Sequence, residues 1–241
     1  MYFDNLASAQ SLCAKCGPTR KAGATMVRKC GAGAGAALAI LIGLAGAAQA
    51  AGDRGSNDRA MQVDRTLFAA VGQETRAPIG WIDFCGEHAS DCRGATNAPR
   101  DIVMSQTAWR DLSRVNQWVN ENVRPMTDLD HYGVVEKWAY PTDGYGDCED
   151  YVLQKRKMLI DAGWPREALL ITVVRDKRGD GHAVLTVKSD KGEFILDNQN
   201  EEIVLWTETG YRFVKRQSQY DVNIWVSLGD QHPAISAVSS K

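Results

Sequence analysis

Hydrophobic positions change their spacing along the chain, from the period of helices to the period of strands. One helix is predicted to begin at Ser105, a suitable N-cap, and to end at Pro125. Its apolar residues recur at helical spacing: Trp109, Leu112, Val115, Val119 and Val123. A second helix is predicted from about Cys148 to Ala162, because Gly163 follows as a stop signal.

Downstream of the second helix the pattern is that of strands. Short apolar or alternating segments, separated by polar turns, predict strands at 169–175, 182–188, 193–197, 211–217 and 222–228. Residues 61–100 are predicted to be mostly loop, and residues 126–147 are rich in turn-forming proline and glycine.

The N-terminal part of the chain has the features of a secretory signal. Arg28 and Lys29 precede an uncharged run, residues 38–48, that is too short and too glycine-rich to favour a membrane span. An Ala-x-Ala pattern at residues 48–50 fits a signal-peptidase site. We therefore expect residues 1–50 to be cleaved and the mature protein to be periplasmic. A retained N-terminal anchor is the alternative.

These boundaries divide the chain into segments. Met26 would give the signal an ordinary length, so the true start is expected there rather than at residue 1. The expected segments are a signal peptide at 1–50, a flexible lead and first helix at 51–77, a folded domain at 78–228 and a tail at 229–241.

Composition and charge exclude several classes of protein. The 241 residues are 44% hydrophobic and 24% charged, which is globular rather than disordered or collagen-like. The net charge of −2 gives no basic field, so we expect no nucleic-acid partner. The one strongly basic run of the second helix, residues 155–157, is expected to be solvated near the C-terminal half of that helix.

Three cysteines remain after the expected cleavage site: Cys85, Cys92 and Cys148. Cys85 and Cys92 are close together in a polar segment and are the favoured disulfide pair in an oxidising compartment, although Cys148 could pair with either. A cysteine left over is intermolecular, buried and inert, or reactive, and spacing alone does not decide which.

The candidate chemistry concentrates around Cys148, in the segment Gly-Asp-Cys-Glu-Asp at 146–150. The glycine turn delivers Cys148 to the first turn of a helix, where backbone N–H groups favour a thiolate and can bind an oxyanion. The neighbouring carboxylates oppose thiolate formation unless a cation neutralises them.

His182 is the favoured base among the four histidines, because it begins a strand soon after the cysteine helix. Asp197 ends the next strand, and neighbouring antiparallel strands can bring such ends side by side. The carboxylate would then orient the imidazole. A structural histidine, and a simple turn at Asp197 and Asn198, are the alternatives.

Three motifs, in this order, resemble those of the bacterial transglutaminase-like cysteine proteinases: Gly-Asp-Cys-Glu-Asp-Tyr, Gly-His-Ala-Val-Leu and Leu-Asp-Asn. The resemblance covers residues 78–228. It implies an α+β fold with a papain-like, transglutaminase-like core, in which the nucleophile helix packs on an antiparallel sheet. It also implies a cysteine peptidase with Cys148 as nucleophile, His182 as base and Asp197 as orienting acid.

The resemblance further implies a calcium ion near the nucleophile, held by Asp147 and Glu149, whose carboxylate oxygens suit calcium. On the residues alone, Asp147 could equally cap the helix and Glu149 occupy its first turn. The implied substrate is a secreted or surface protein such as a biofilm adhesin, and the implied regulator is an inner-membrane receptor.

The preferred function is therefore a calcium-dependent periplasmic cysteine endopeptidase, and two alternatives stay open. A protein transglutaminase or amidase would use the same three residues, because both reactions pass through an acyl-enzyme and differ only in the second nucleophile. A non-catalytic, calcium-responsive binding module could also retain the fold.

Overall fold

The computed structural model describes residues 67–94 and 98–229, in which helices cover an antiparallel sheet. The helices are α1 (Ile79–Glu87), α2 (Gln106–Asn122), α3 (Asp128–Tyr132) and α4 (Cys148–Asp161). The strands are β1 (Val71–Thr75), β2 (Arg124–Pro125), β3 (Tyr145–Gly146), β4 (Leu169–Arg175), β5 (Gly181–Ser189), β6 (Gly192–Leu196), β7 (Val204–Leu205), β8 (Arg212–Gln217) and β9 (Trp225–Leu228). Two short 3-10 helices span Arg166–Ala168 and Trp206–Glu208.

A seven-stranded sheet organises these elements. Its strand order is β1-β9-β8-β4-β5-β6-β7, and every neighbouring pair is antiparallel. β2 and β3 form a separate parallel pair just before α4. The strands predicted at 169–175, 182–188 and 193–197 coincide with β4, β5 and β6 to within one residue at each end.

Both faces of β5 are buried, because its alternate residues pack against different clusters. Ala183, Leu185 and Val187 belong to the larger cluster, which includes the apolar faces of α1, α2 and α4. Val184 points the other way, into a smaller cluster around Trp206. The central strands therefore hold α4, the helix that begins at Cys148, on one side of the sheet.

Two elements lie where the sequence predicted something else. β1 falls within the segment 51–77, which was expected to be a lead and a helix, and α1 falls within the expected loop region 61–100. β1 forms because it pairs with the distant strand β9, and α1 is stabilised by burial of Trp81 and Phe84. Residues 51–66, part of the segment expected to hold the lead and that helix, lie outside the described residues.

α3 interrupts the turn-rich segment between the two predicted helices. The Thr127 side chain accepts the N–H of Asp130 at 3.2 Å, and Gly133 ends the helix with a φ of 71°. Five residues are too few to show a helical period, so the hydrophobic pattern did not predict this helix. Its first residue, Asp128, is buried.

The basic run at 155–157 is not solvated as a whole, contrary to the expectation. Lys155 and Arg156 are buried, because α4 packs between the sheet and the other helices. Arg156 donates through Nε to the carbonyl of Leu169 at 2.9 Å. Lys157 is exposed, and its Nζ lies 2.8 Å from Asp161.

Cys85 and Cys92 form a disulfide. Asn223, just before β9, donates its side-chain amide to the carbonyl of Cys92 at 2.8 Å. The disulfide therefore ties the end of α1 to a loop held against the sheet. Cys148 is buried and forms no disulfide with another cysteine of the described residues.

The expected signal peptide at 1–50 and all but the first residue of the expected tail at 229–241 lie outside the described residues. Within the described residues, no helix is long and apolar enough to cross a membrane.

Candidate active site

Cys148 is the first residue of α4, and a tight turn fixes its position. Gly146 pairs with Pro125 in the β2–β3 ladder, immediately before the helix begins. A Cβ atom at Gly146 would lie 2.7 Å from the Cβ atom of Asp150, closer than real Cβ contacts allow. Glycine is therefore required here for the chain to pass the first turn of α4 and present the cysteine.

The sulfur of Cys148 lies between α4 and the start of β5. The peptide N–H of Ala183 donates to Sγ at 3.3 Å, and the thiol donates to Oε2 of Glu149 at 3.0 Å. Ala183 directly follows His182 in the chain, so α4 meets the strand that carries His182 at this sulfur. Cys148 and His182 are both completely buried.

His182 and Asp197 are joined by a short hydrogen bond, with Nε2 of the histidine 2.8 Å from Oδ1 of the carboxylate. Burial opposes ionisation of Asp197, but the hydrogen bonds from His182, Tyr211 and the peptide N–H of Gln199 outweigh it and lower the pKa of this carboxyl. An ionised Asp197 accepts hydrogen bonds only, so Nε2 of His182 carries the proton between them.

The other imidazole nitrogen, Nδ1, lies beside the side chain of Gln199. The side-chain amide of the exposed Gln199 lies 3.4 Å from Nδ1 of His182 and donates to it in this tautomer. Nδ1 is therefore the nitrogen with a lone pair, and the contact that covers it is long and made by an exposed side chain.

The family profile of the bacterial transglutaminase-like cysteine proteinases matches residues 71–233, which is more than half of the chain. The chain belongs to this family. It is a transglutaminase-like cysteine peptidase, and the α+β core predicted from the sequence, with the cysteine helix on an antiparallel sheet, is confirmed.

Similar solved structures include three of LapG from Legionella pneumophila. The calcium-bound structure is 22% identical over 53% of this chain and 75% of that chain, with a TM-score of 0.43. A second LapG structure is 24% identical over 49% and 68%, with a TM-score of 0.42. The EGTA-treated structure is 23% identical over 51% and 72%, with a TM-score of 0.42. No curated protein matches the chain significantly.

In this cysteine proteinase, three buried carboxylates gather beside Cys148. Asp128, Asp147 and Glu149 each offer an oxygen, and these oxygens lie within 4.8 Å of one another. Sequence reasoning found Asp147 and Glu149 but missed Asp128, because it begins the unpredicted helix α3. An acidic residue directly after the N-cap Thr127 was the available signal.

Burial shifts the ionisation of these acids. It raises the pKa of Asp128 to about 6 and, together with the charge of Asp128, that of Asp147 to about 7. Burial and the charge of Asp147 raise the pKa of Asp150 to about 9, while one Asp150 oxygen accepts the N–H of Ala139 at 2.8 Å.

The carboxylate of Asp147 does not cap α4, contrary to the alternative considered from the sequence. Its Oδ1 atom is buried and has no hydrogen-bond partner among the described residues. It lies instead with Asp128 and Glu149. Three converging carboxylates are the donor set of a hard divalent cation, so the residues present fit calcium.

Two further contacts to Asp197 were missed by sequence reasoning. The hydroxyl of Tyr211 donates to Oδ2 at 2.6 Å, and the side-chain amide of Asn120 in α2 donates to the Asp197 carbonyl at 2.9 Å. Asn120 is 77 positions from Asp197 in the chain, and β7 and a 3-10 helix separate Tyr211 from it. Neither residue belongs to a motif. The sequence pattern alone therefore carries no signal for them.

Proposed function

We propose that the protein is a calcium-dependent cysteine endopeptidase of the periplasm, in which Cys148, His182 and Asp197 act as a catalytic triad. The observation that carries the proposal is the 2.8 Å bond between His182 and Asp197, next to the peptide N–H that donates to the sulfur of Cys148. Cys148, His182 and Asp197 are therefore candidates for the nucleophile, the base and the group that orients the base in one reaction.

Proton transfer would run through Nδ1 of His182, because Nε2–H is committed to Asp197. Nδ1 takes the thiol proton, and the thiolate of Cys148 attacks the peptide carbonyl carbon. Peptide N–H groups in the first turn of α4 stabilise the resulting oxyanion. His182 then gives the proton to the leaving amine, so the peptide bond breaks and a thioester remains. Water, deprotonated by His182, hydrolyses the thioester and restores the thiol.

Asp128, Asp147 and Glu149 would hold the calcium ion. Support comes from the convergence of their oxygens and from their burial, because buried like charges require a counter-charge. When bound, the ion would supply positive charge that offsets the carboxylates around Cys148.

The periplasmic location is proposed from the secretory features of residues 1–50 and from the disulfide between Cys85 and Cys92, a bond that persists in oxidising compartments. An exported peptidase meets secreted and surface proteins, so we propose a protein of that class as substrate. A biofilm adhesin is the candidate that the resemblance implies, and an inner-membrane regulatory receptor stays a prediction.

The test compares surface-protein fractions incubated with the wild-type protein and with Cys148→Ala, in calcium and in chelator. A biotinylated primary amine is present in every reaction. New N-termini that require both Cys148 and calcium support the proposal. Scission by Cys148→Ala would overturn the role of the cysteine. Amine incorporation into glutamine without scission would identify a transglutaminase instead.

A further inference from the structure

The carboxylate of Asp197 is held at both oxygens. Oδ1 accepts from His182 at 2.8 Å and from the peptide N–H of Gln199 at 2.9 Å. Oδ2 accepts from the hydroxyl of Tyr211 at 2.6 Å. A carboxylate that is bound on one side only can rotate about its Cβ–Cγ bond, whereas a donor on each oxygen fixes its plane.

Tyr211 also contacts the imidazole that Asp197 orients. The rings of Tyr211 and His182 lie 5.8 Å apart between centroids, with an interplanar angle of 85°. This edge-to-face contact restricts rotation of the histidine ring. Tyr211 therefore touches both members of the pair, Asp197 through its hydroxyl and His182 through its ring.

The position of Tyr211 is itself built into the chain. Gly210, with a φ of 70°, turns the backbone just before it, and the hydroxyl of Thr209 accepts the N–H of Tyr211 at 3.1 Å. The next residue begins β8. Burial and the nearby charge of Asp197 raise the pKa of Tyr211 above its ordinary range, so the hydroxyl remains a donor.

We propose that Tyr211 is a positioning residue of the reaction: it anchors Oδ2 of Asp197 and packs against the His182 ring, so that Nδ1 faces the thiol of Cys148. The inference rests on the proposed function. Tyr211 makes no contact with substrate in this account and acts through the other two side chains.

The test measures alkylation of Cys148 by iodoacetamide at pH 7, with peptide mapping by mass spectrometry to separate it from the other cysteines. Tyr211→Phe keeps the ring and removes the hydroxyl, and Tyr220→Phe, at an exposed tyrosine, is the matched control. Thermal unfolding of each variant shows that the fold is retained.

We expect alkylation to slow by about threefold or more in Tyr211→Phe and to stay unchanged in Tyr220→Phe. The expected effect is moderate because Tyr211 and Asp197 line a cavity of about 350 Å³, from which water can partly replace the lost donor. In an Asp197→Asn background, Tyr211→Phe should have no further effect, since the hydroxyl acts through that carboxylate. If the role of Tyr211 were purely structural, Tyr211→Phe would slow alkylation by the same factor in the wild-type and the Asp197→Asn backgrounds.

A second readout is the Nε2 proton of His182, which gives a far-downfield ¹H resonance when it is hydrogen-bonded to a buried carboxylate. The signal should be absent in His182→Gln, shifted or broadened in Tyr211→Phe and unchanged in Tyr220→Phe. An unshifted signal and an unchanged alkylation rate in Tyr211→Phe would overturn this inference but leave the proposed function standing. A wild-type Cys148 that reacts no faster than in the His182→Gln variant would overturn the proposed function and the inference with it.

Discussion

His182 and Asp197 meet across two neighbouring strands, with 2.8 Å between Nε2 and Oδ1. The register of β5 and β6 explains the contact, because Leu185 lies opposite Leu196 and the next residue, Asp197, continues toward the start of β5. The hairpin that follows from local sequence pattern thus brings together an imidazole and a carboxylate that are 15 positions apart.

Replacing Asp197 with Asn should slow the reaction without weakening substrate binding. The amide cannot carry the negative charge that favours the protonated imidazole, so kcat should fall by at least about tenfold while KM changes little. Kinetics on a protein fragment whose scission depends on Cys148 provide the measurement. Asp83→Asn, at an exposed position, is the control and should keep the wild-type kcat. An Asp197→Asn variant with full kcat would contradict the role.

Calcium should stabilise the wild-type protein against unfolding, and Asp128→Asn should remove most of that effect. A ligand that binds only the folded state adds about 2.7 kcal/mol at 100 times its dissociation constant. Differential scanning calorimetry with calcium and with chelator measures the change, and Asp83→Asn should respond to calcium as the wild type does. Equal stabilisation of Asp128→Asn and wild type would show that Asp128 is not a ligand.

The stability of the protein should depend on pH through Lys155. Burial lowers the pKa of this amine to about 7 in the folded protein, whereas its pKa in an unfolded chain is about 10.4. Between these values the unfolded chain binds a proton that the folded protein lacks, so the free energy of unfolding rises with pH. Below pH ~7 the Lys155 amine is protonated in the folded protein as well, so the full free-energy cost of burying its charge opposes folding.

Lys155→Met should therefore be more stable than the wild type at pH 6, by more than about 1 kcal/mol, and this difference should shrink toward pH 10. Urea unfolding at several pH values measures it. Lys157→Met, at the exposed lysine two residues along the same helix, should show no such trend. A difference that stays constant with pH would mean that Lys155 is not neutralised on folding.

Removing the disulfide by changing Cys85 and Cys92 to Ala should lower the free energy of unfolding by about 2 kcal/mol, because the short loop it closes restricts the unfolded chain. Urea unfolding should show that dithiothreitol destabilises the wild type but leaves the double variant unchanged. Equal sensitivity of both proteins to the reductant would contradict this account.

The sequence predicted the elements whose formation is decided locally. β4 was predicted with its observed bounds, because a continuous run of β-branched and apolar residues is bounded by turns. Ser105 was correctly predicted as the N-cap of α2, where its side chain accepts the N–H of Ala108 at 3.1 Å. The end of α4 was also marked by a local signal, Gly163, which adopts a φ of 90°.

Elements and contacts that depend on distant partners escaped the sequence pattern. β1 exists through its pairing with β9, and Lys155 is buried because of how α4 packs rather than because of its own chemistry. At the candidate site, Cys148, His182 and Asp197 could be nominated from motifs. Asp128 and Tyr211 were missed, since the only signal for Asp128 is its place directly after the N-cap Thr127, and Tyr211 begins a predicted strand but belongs to no motif.

The most direct test of the central claim is whether His182 activates Cys148. The rate of iodoacetamide alkylation at Cys148, followed by mass spectrometry at pH 7, compares wild type with His182→Gln and with His88→Gln, the latter at a histidine that packs against Phe84 and Tyr140. We predict a rate at least about tenfold lower in His182→Gln and an unchanged rate in His88→Gln. Equal rates in all three proteins would contradict the account.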